Sequence, residues 1–299
     1  MRVAIIGAGL TGLTAARALR GAGVAVTVFD KSRGVGGRLS TRRADGGLQF
    51  DHGAQYLSPK SEGFAALLAE AQAAGAAKNW GEGRVIGARG MSGLAKFLAS
   101  GVDVHRAEIT ELGRSDRGWQ VADGTFDRVI CTVPAPQACG ILGPAHPLTA
   151  ALTGVEMTPN LTLMLALPAR ENAFETARDA EEDIAWLALD SAKHGRDGPD
   201  CWVAQASLAF SLEHLELEKP AIADLMLPLV CARLGADPAQ ALYVAGHRWR
   251  YAQVSKPLGQ SYLSDDTGLY IGGDWALTDR AEGAWASGVA MARAVLETR

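Results

Sequence analysis

Apolar positions start at the second residue and change period within the first thirty. Residues 2–6 form a short, nearly continuous apolar run, which predicts a strand buried on both faces. Residues 11–20 place Leu13, Ala16 and Leu19 at helical spacing on one face, and 24–29 return to a β-branched run. This β-α-β order predicts two parallel strands joined by a crossover helix. Further on, 64–77 and 92–99 read as helices, and 102–105, 119–122 and 127–132 as strands. The texture changes between 156 and 263. There 161–167, 184–189 and 201–207 predict strands of an antiparallel sheet, linked by an acidic segment (171–183) and a turn-rich stretch (190–200). A helix over 220–234 contains Pro228, which predicts a kink. In a strand over 245–252, His247, Trp249 and Tyr251 share one face and Arg248 and Arg250 the other. From 268 the pattern is strand, glycine turn and final helix. The expected fold class is α/β: a Rossmann-like nucleotide-binding domain built from 1–56, 89–155 and 264–299. A substrate domain of antiparallel sheet plus helices, 57–88 and 156–263, is inserted into it.

Composition narrows the function. A chain of 299 residues, 48% hydrophobic and 21% charged, is ordinary for a globular protein with a large core. A net charge of −4 supplies no basic field, so no nucleic-acid partner is expected. The four cysteines, Cys131, Cys139, Cys201 and Cys231, form no CxxC pair and have no His at metal spacing. Buried free thiols in a reducing compartment are expected, with no metal. No run resembles a signal segment or reaches the roughly 20 apolar residues of a membrane span, so a cytoplasmic location and no membrane partner are expected. Oligomeric state stays open.

Gly7-Ala8-Gly9-Leu10-Thr11-Gly12 is a G-x-G-x-x-G placed after a strand and before a helix. The first glycine permits the tight turn, the second lets a diphosphate approach the backbone, and the third lets helix and strand pack closely. The helix start offers free N–H groups and the positive end of its dipole to phosphate. Asp30 closes the second strand, where a carboxylate accepts from ribose hydroxyls. This much serves NAD or FAD alike. The next stretch, Lys31-Ser32-Arg33-Gly34-Val35-Gly36-Gly37-Arg38, is a second glycine-arginine turn. It resembles the R-x-G-G-R segment of the amine-oxidase superfamily of flavoproteins. That resemblance implies non-covalent FAD, with Gly37 and Arg38 at the diphosphate, where an arginine fork suits phosphate. It also implies Lys31 and Arg33 near the adenosine.

Further stretches together resemble one branch of that superfamily, the renalase-like flavoproteins. They are Gly37 to Arg43, Phe50-Asp51-His52-Gly53-Ala54-Gln55-Tyr56, Gly90-Met91-Ser92, His247 to Ala252, Gly272-Gly273-Asp274-Trp275 and Arg280 to Trp285. The resemblance covers most of the chain, but 171–200 carries no matching motif. It implies a glutathione-reductase-type FAD domain roofed by a sheet-based substrate domain. It puts Ile109, in a strand running from His105, at the adenine. Gly273 and Asp274 fall near the ribityl or diphosphate, and Glu282, Gly283 and Ala284 open the last helix beneath the flavin pyrimidine. Free N–H groups there stabilise the negative charge of reduced flavin.

The flavin carries the redox chemistry, so protein groups have mainly to orient the substrate. His247, Trp249 and Tyr251 form a candidate wall for a flat, partly polar substrate. His52 and Gln55 are the other polar candidates, as acid, base or hydrogen-bond partner. The renalase-like resemblance implies oxidation of 2- and 6-dihydro forms of NAD(P) to NAD(P)+, with hydride passing to flavin N5 and dioxygen becoming hydrogen peroxide. Amine or polyamine oxidation, a nicotinamide-dependent dehydrogenase and a flavin-binding regulatory protein without turnover are the alternatives. Between Gly273 and Gly283 there is no cysteine for a covalent flavin link, and Lys256 does not lie in the lysine segment of amine oxidases.

Overall fold

The computed structural model describes residues 1–171, 174–193, 195, 196 and 198–298. The chain opens with β1 (Arg2–Ile6), α1 (Leu10–Gly21) and β2 (Ala25–Asp30). It continues through α2 (Glu62–Ala73) and α3 (Met91–Leu98) to β3 (Asp103–Arg106) and β4 (Arg128–Cys131). The middle supplies β5 (Glu156–Leu167), β6 (Thr176–Arg178), β7 (Ile184–Leu189) and β8 (Asp200–Ala206). Then come α4 (Lys219–Leu234) and β9 (Tyr243–Lys256), and finally β10 (Leu263–Ser264), β11 (Leu269–Ile271) and α5 (Ala281–Glu297).

Two sheets organise these elements. The first runs β10-β11-β4-β1-β2-β3; it is parallel throughout except for β10. Its central strand β1 is buried from Val3 to Ile6, which is why its sequence is a solid apolar run rather than an alternation. Helices α1 and α5 lie together over it, and a Cβ on Gly288 would stand 2.4 Å from the Thr11 carbonyl, so glycine sets their approach. The second sheet runs β6-β7-β8-β5-β9 and is antiparallel, with α4 packed on one face through Ile222, Met226 and Val230. The fold is thus mixed α/β, a Rossmann-like domain carrying an inserted antiparallel domain.

Residues 57–88 depart from the expected grouping with the inserted domain. Leu57, Phe64, Leu68, Trp80 and Ile86 share one core with Val3, Leu13 and Met91. Their apolar positions face the nucleotide layer, so burial assigns the segment there. Helix α2 also stops at Ala73 instead of 77, because Gly75 takes a φ of +70° and turns the chain out. Pro228 lies inside α4, which continues past it to Leu234. The expected strand from His105 to Ile109 ends at Arg106, leaving Ile109 on the loop that follows. No helix among the described residues is long and apolar enough to cross a membrane. The four cysteines are free thiols, and no metal-binding group of His, Cys, Asp or Glu occurs among the described residues.

Candidate active site

A cavity of about 1370 Å³ runs from the glycine loop after β1 to the face of the second sheet. At its first end the glycines divide their work by geometry. Gly7 needs its φ of +103°, and a Cβ on Gly12 would sit 2.0 Å from the Gly7 carbonyl oxygen. A Cβ on Gly9 would meet nothing within 4 Å. Gly9 therefore faces an open cradle rather than a packing neighbour, which is the shape a diphosphate requires. The second glycine turn closes the cradle: the Gly36 N–H donates to the Ala8 carbonyl at 2.7 Å, and Gly37, with φ +55°, approaches Gly9.

Asp30 lines the cavity and holds the loop as well. Its Oδ2 accepts from the Ala8 N–H and its Oδ1 from the Ser32 N–H, each at 2.7 Å. Leu10, Thr11, Lys31 and Ile109 line the same end. Lys31 stands 3.8 Å from Glu108 in an exposed pair. Arg33 is exposed and lies off the cavity wall, contrary to its expected place beside the adenosine; its loop position turns it to solvent. Arg38 lines the cavity as a bridge, donating to the Asp274 carboxylate at 2.7 Å and to the Ala252 carbonyl at 2.8 Å. It ties the nucleotide end to both β9 and the turn after β11. Gly273 sits behind Asp274, its N–H donating to the Ser287 hydroxyl.

Glu282 and Ala284 line the cavity where α5 begins, with Gly283 buried between them against Thr278. The Gly283 and Ala284 amides are already bonded to the Arg280 carbonyl, so the donors left at this helix start are those of Ala281 and Glu282. The Glu282 carboxylate accepts from the Lys60 and Ser61 N–H groups, which fixes the 60–61 backbone beside the cavity. Desolvation alone would raise its pKa, but these bonds outweigh that and hold it below the ordinary carboxylate value.

At the other end His247 and Trp249 line the cavity, and His52 lies behind them at 6% exposure. The three rings form one cluster: His52 stacks on Trp249 at 5.3 Å and meets His247 edge-on at 4.7 Å. The Trp249 indole donates to the His52 carbonyl at 2.8 Å. Burial lowers the pKa of His52 from 6.5 to about 4, and burial together with its imidazole neighbour lowers that of His247 to about 3. Both rings are neutral near pH 7. This corrects His52 as an acid or base at the cavity: it is a supporting ring away from the wall. Tyr251 does line the cavity but not by simple alternation. Asn160 pairs with Trp249 and Thr158 with Gln253, so β9 bulges between them and Tyr251 sits in the bulge. Arg248 and Arg250 reach the cavity wall too, while their guanidinium groups bond the 215–217 turn.

Gln55 lines the cavity, and its side chain is held from both ends. Its amide N–H donates to the Asp51 carbonyl, and its oxygen accepts from the Lys193 ammonium at 3.3 Å. Behind it is a feature the sequence did not disclose, a buried cluster of two carboxylates and two cations. Lys193 lies 3.1 Å from Asp51 and 2.6 Å from Asp190, and Arg196 contacts both carboxylates. The Asp51 carboxylate also accepts from the Thr41 hydroxyl at 2.6 Å and the Met91 N–H at 2.9 Å. Burial alone would raise its pKa, but Lys193 and Arg196 outweigh that and bring it to about 2. The only sequence signal was a Lys and an Arg in a turn-rich stretch without a motif.

The donor set fits FAD: an open cradle at Gly9, a carboxylate on the cavity wall at Asp30 and an arginine at Arg38. Comparison with known proteins agrees. Residues 5–71 match the model of an NAD(P)-binding Rossmann-like domain, and 75–296 match that of flavin containing amine oxidoreductases. The 4,4'-diapophytoene desaturase of Staphylococcus aureus strain Newman is 47% identical over 53 residues, 18% of this chain and 10% of the desaturase; that of strain USA300 gives the same values. The chain thus spans a small part of the curated relatives it matches. Among solved structures, cyclohexylamine oxidase from Brevibacterium oxydans IH-35A superposes with a TM-score of 0.73 at 13% identity, over 99% of both chains. Putrescine oxidase bound to putrescine gives 0.66 at 16% identity, again over 99% of both. At such identities the likeness speaks for the fold. The cofactor is FAD, and with a family model matched over more than half its length the chain belongs to the flavin-containing amine oxidoreductase family.

Proposed function

We propose that the protein is an FAD-dependent oxidase of dihydro-nicotinamide isomers, the 2- and 6-dihydro forms of NAD(P), giving NAD(P)+ and hydrogen peroxide. The observation that carries this reading is the wall of uncharged rings at the sheet end of the cavity, His247 and Trp249 backed by His52. A flat dihydropyridine finds there a stacking surface, and burial keeps both imidazoles neutral. FAD, when bound, would supply the two-electron redox chemistry between the dihydropyridine and dioxygen.

The chain's own residues bind, orient and exclude water. Gly9, Gly37 and Arg38 hold the diphosphate, and Asp30 the ribose, with Leu10, Thr11, Lys31 and Ile109 around the adenosine end. Free amides at the start of α5 suit an anionic group near Glu282. Trp249 is pinned by its bond to the His52 carbonyl, and Gln55 by Lys193 and Asp51, so the wall and its polar edge are fixed before substrate arrives. With no cysteine in 273–283, no cysteinyl thioether to the flavin is expected there, and on this reading FAD is held non-covalently. Free thiols suit the cytoplasm.

Amine oxidation, the activity in the names of the two structural neighbours, is the competing reading. Anaerobic mixing of the yellow holoenzyme with 6-dihydro-NAD separates the two. Rapid loss of the visible flavin band, with none from an amine panel, is expected; bleaching by an amine alone would sink the proposal.

A further inference from the structure

One row of side chains crosses the whole second sheet in register. Arg178 of β6 pairs with Trp186 of β7, Trp186 with Gln205 of β8, Gln205 with Thr162 of β5, and Thr162 with His247 of β9. Directly paired residues point to the same face, so this row is the roof of the cavity. Arg178, Trp186, Gln205 and His247 all line it. Four strand spacings of about 4.8 Å make the row ~19 Å long.

The row changes character along its length. It starts with a neutral imidazole at His247 and ends in a cation at Arg178. Across from Arg178 the wall carries a second cation, Arg84. Its guanidinium lies 4.9 Å over the Tyr56 ring, and Tyr56 is 6.3 Å from Trp186, on whose ring Arg178 itself rests at 5.2 Å. Two guanidinium groups thus flank one pair of aromatic rings at the end of the cavity away from His247. Arg84 pairs at 3.0 Å with Glu82, a largely exposed carboxylate on the same wall; the exposed Arg178 guanidinium has no ion pair or hydrogen bond among the described residues. The Trp186 indole N–H is buried and also lacks a partner there. A buried donor and a free fork beside it are unspent binding capacity for an oxyanion.

We infer that Arg178 and Arg84, with Trp186 and Tyr56, form a phosphate subsite that holds the anionic part of an elongated substrate whose ring lies at His247 and Trp249. The inference rests on the dihydro-nicotinamide reading for the ring and adds the anchor for the diphosphate. A small diamine would occupy one end of the row and meet cations at the other, whereas a dinucleotide has the length to use both. The FAD diphosphate is a separate matter, since its cradle lies on α1, in the other layer.

The test is equilibrium binding of redox-inert probes to the FAD-loaded enzyme, read by perturbation of the flavin spectrum and by calorimetry. NAD+ is expected to bind at least tenfold more tightly than nicotinamide riboside, which has the ring but no phosphate. Arg178→Gln is expected to remove most of that difference while leaving riboside affinity within twofold, and Arg178→Lys to restore part of it. Arg84→Gln serves as a second variant, with retention of the flavin spectrum as the check on folding. Equal affinities for NAD+ and riboside in the wild type, or equal losses in Arg178→Gln, would overturn the subsite and leave the ring reading standing. If riboside and dihydro-nicotinamides leave the flavin unperturbed but ADP binds and loses tenfold in Arg178→Gln, the subsite stands and the ring reading fails.

Discussion

At the scale of single residues, the glycines of the first loop separate two kinds of constraint that a motif lumps together. Gly12 is glycine because of the protein: a Cβ would collide with the Gly7 carbonyl at 2.0 Å. Gly9 is extended at φ −76° and its Cβ would meet no protein atom within 4 Å, so on the proposed reading it is glycine because of the cofactor. Gly12→Ala is therefore expected to lower both stability, by about 1–3 kcal/mol, and FAD content. Gly9→Ala should leave the apoprotein within ~0.5 kcal/mol of wild type but weaken FAD binding at least tenfold. Thermal unfolding of apoprotein, beside flavin titration, reads the two effects separately; an unstable Gly9→Ala apoprotein would refute the division. These glycines could be read in the sequence because their constraint acts within a few residues. Lys193 could not, because its partner Asp51 lies 142 residues away and only the tertiary fold brings them together. Arg33 and Arg38 show the same limit from the other side. The family resemblance implied a nucleotide ligand at both, and only the direction of the chain separates the exposed Arg33 from the bridging Arg38.

At the scale of elements, burial period predicted most strands and helices, and failed where one strand changes pairing along its length. The sequence alternation of β9 implied one face for His247, Trp249 and Tyr251, but a bulge opposite Thr158 and Asn160 breaks the pleat after Trp249. Nothing in the alternation of side chains announces such a bulge, because it is set by the partner strand. The α2 boundary erred for the opposite reason: small residues after Ala73 suit a helix, and the backbone of Gly75 overrules them. The bulge makes Trp249 and Tyr251 unequal. Trp249→Phe removes the donor to the His52 carbonyl and leaves that buried acceptor unpaired, a loss of about 1–3 kcal/mol. Tyr251→Phe is expected to leave stability within ~0.5 kcal/mol of wild type. Denaturant unfolding of the two variants checks this, and equal losses would show that the rings act as one face after all.

At the scale of the molecule, the two layers are joined beside the cavity by the buried quartet of Asp51, Asp190, Lys193 and Arg196, which holds the strap bearing His52 and Gln55 against the second sheet. Its formal charges are two against two, with burial and the neighbouring Asp51 pushing the Asp190 carboxyl up against the pull of Lys193 and Arg196. Lys193→Met would leave two carboxylates sharing one cation in a dry site, a loss of about 3–5 kcal/mol. Adding Asp190→Asn should return part of it by restoring the balance. A double variant less stable than Lys193→Met would show that packing, and not charge, sets the cost.

The same geometry gives stability two acid windows. The folded state binds protons at His52 and His247 only near pH 4 and 3, while the unfolded chain binds them at about 6.5. Between those values the unfolded state carries more protons, so stability is full above pH 6.5 and falls as pH drops through the window. A tenfold difference in proton affinity between the two states corresponds to about 1.4 kcal/mol, which puts the loss on the order of a few kcal/mol. Asp51 acts lower down: its carboxyl titrates at about 2 when folded against 3.8 otherwise, so its contribution persists above 3.8 and disappears as pH falls through 2. Stability measured by denaturant unfolding should thus decline between about pH 6.5 and 3 in the wild type. His52→Gln and His247→Gln should flatten that first decline and leave the loss below about pH 3, which belongs to Asp51, unchanged. Activity should not follow the first window as it would for a catalytic imidazole titrating near neutrality, because both rings are neutral throughout the range in which the enzyme stays folded. A kcat profile with a break near 6.5 that vanishes in His247→Gln would mean that His247 is protonated in the working site, and the ring wall would then have to be read as a charged one.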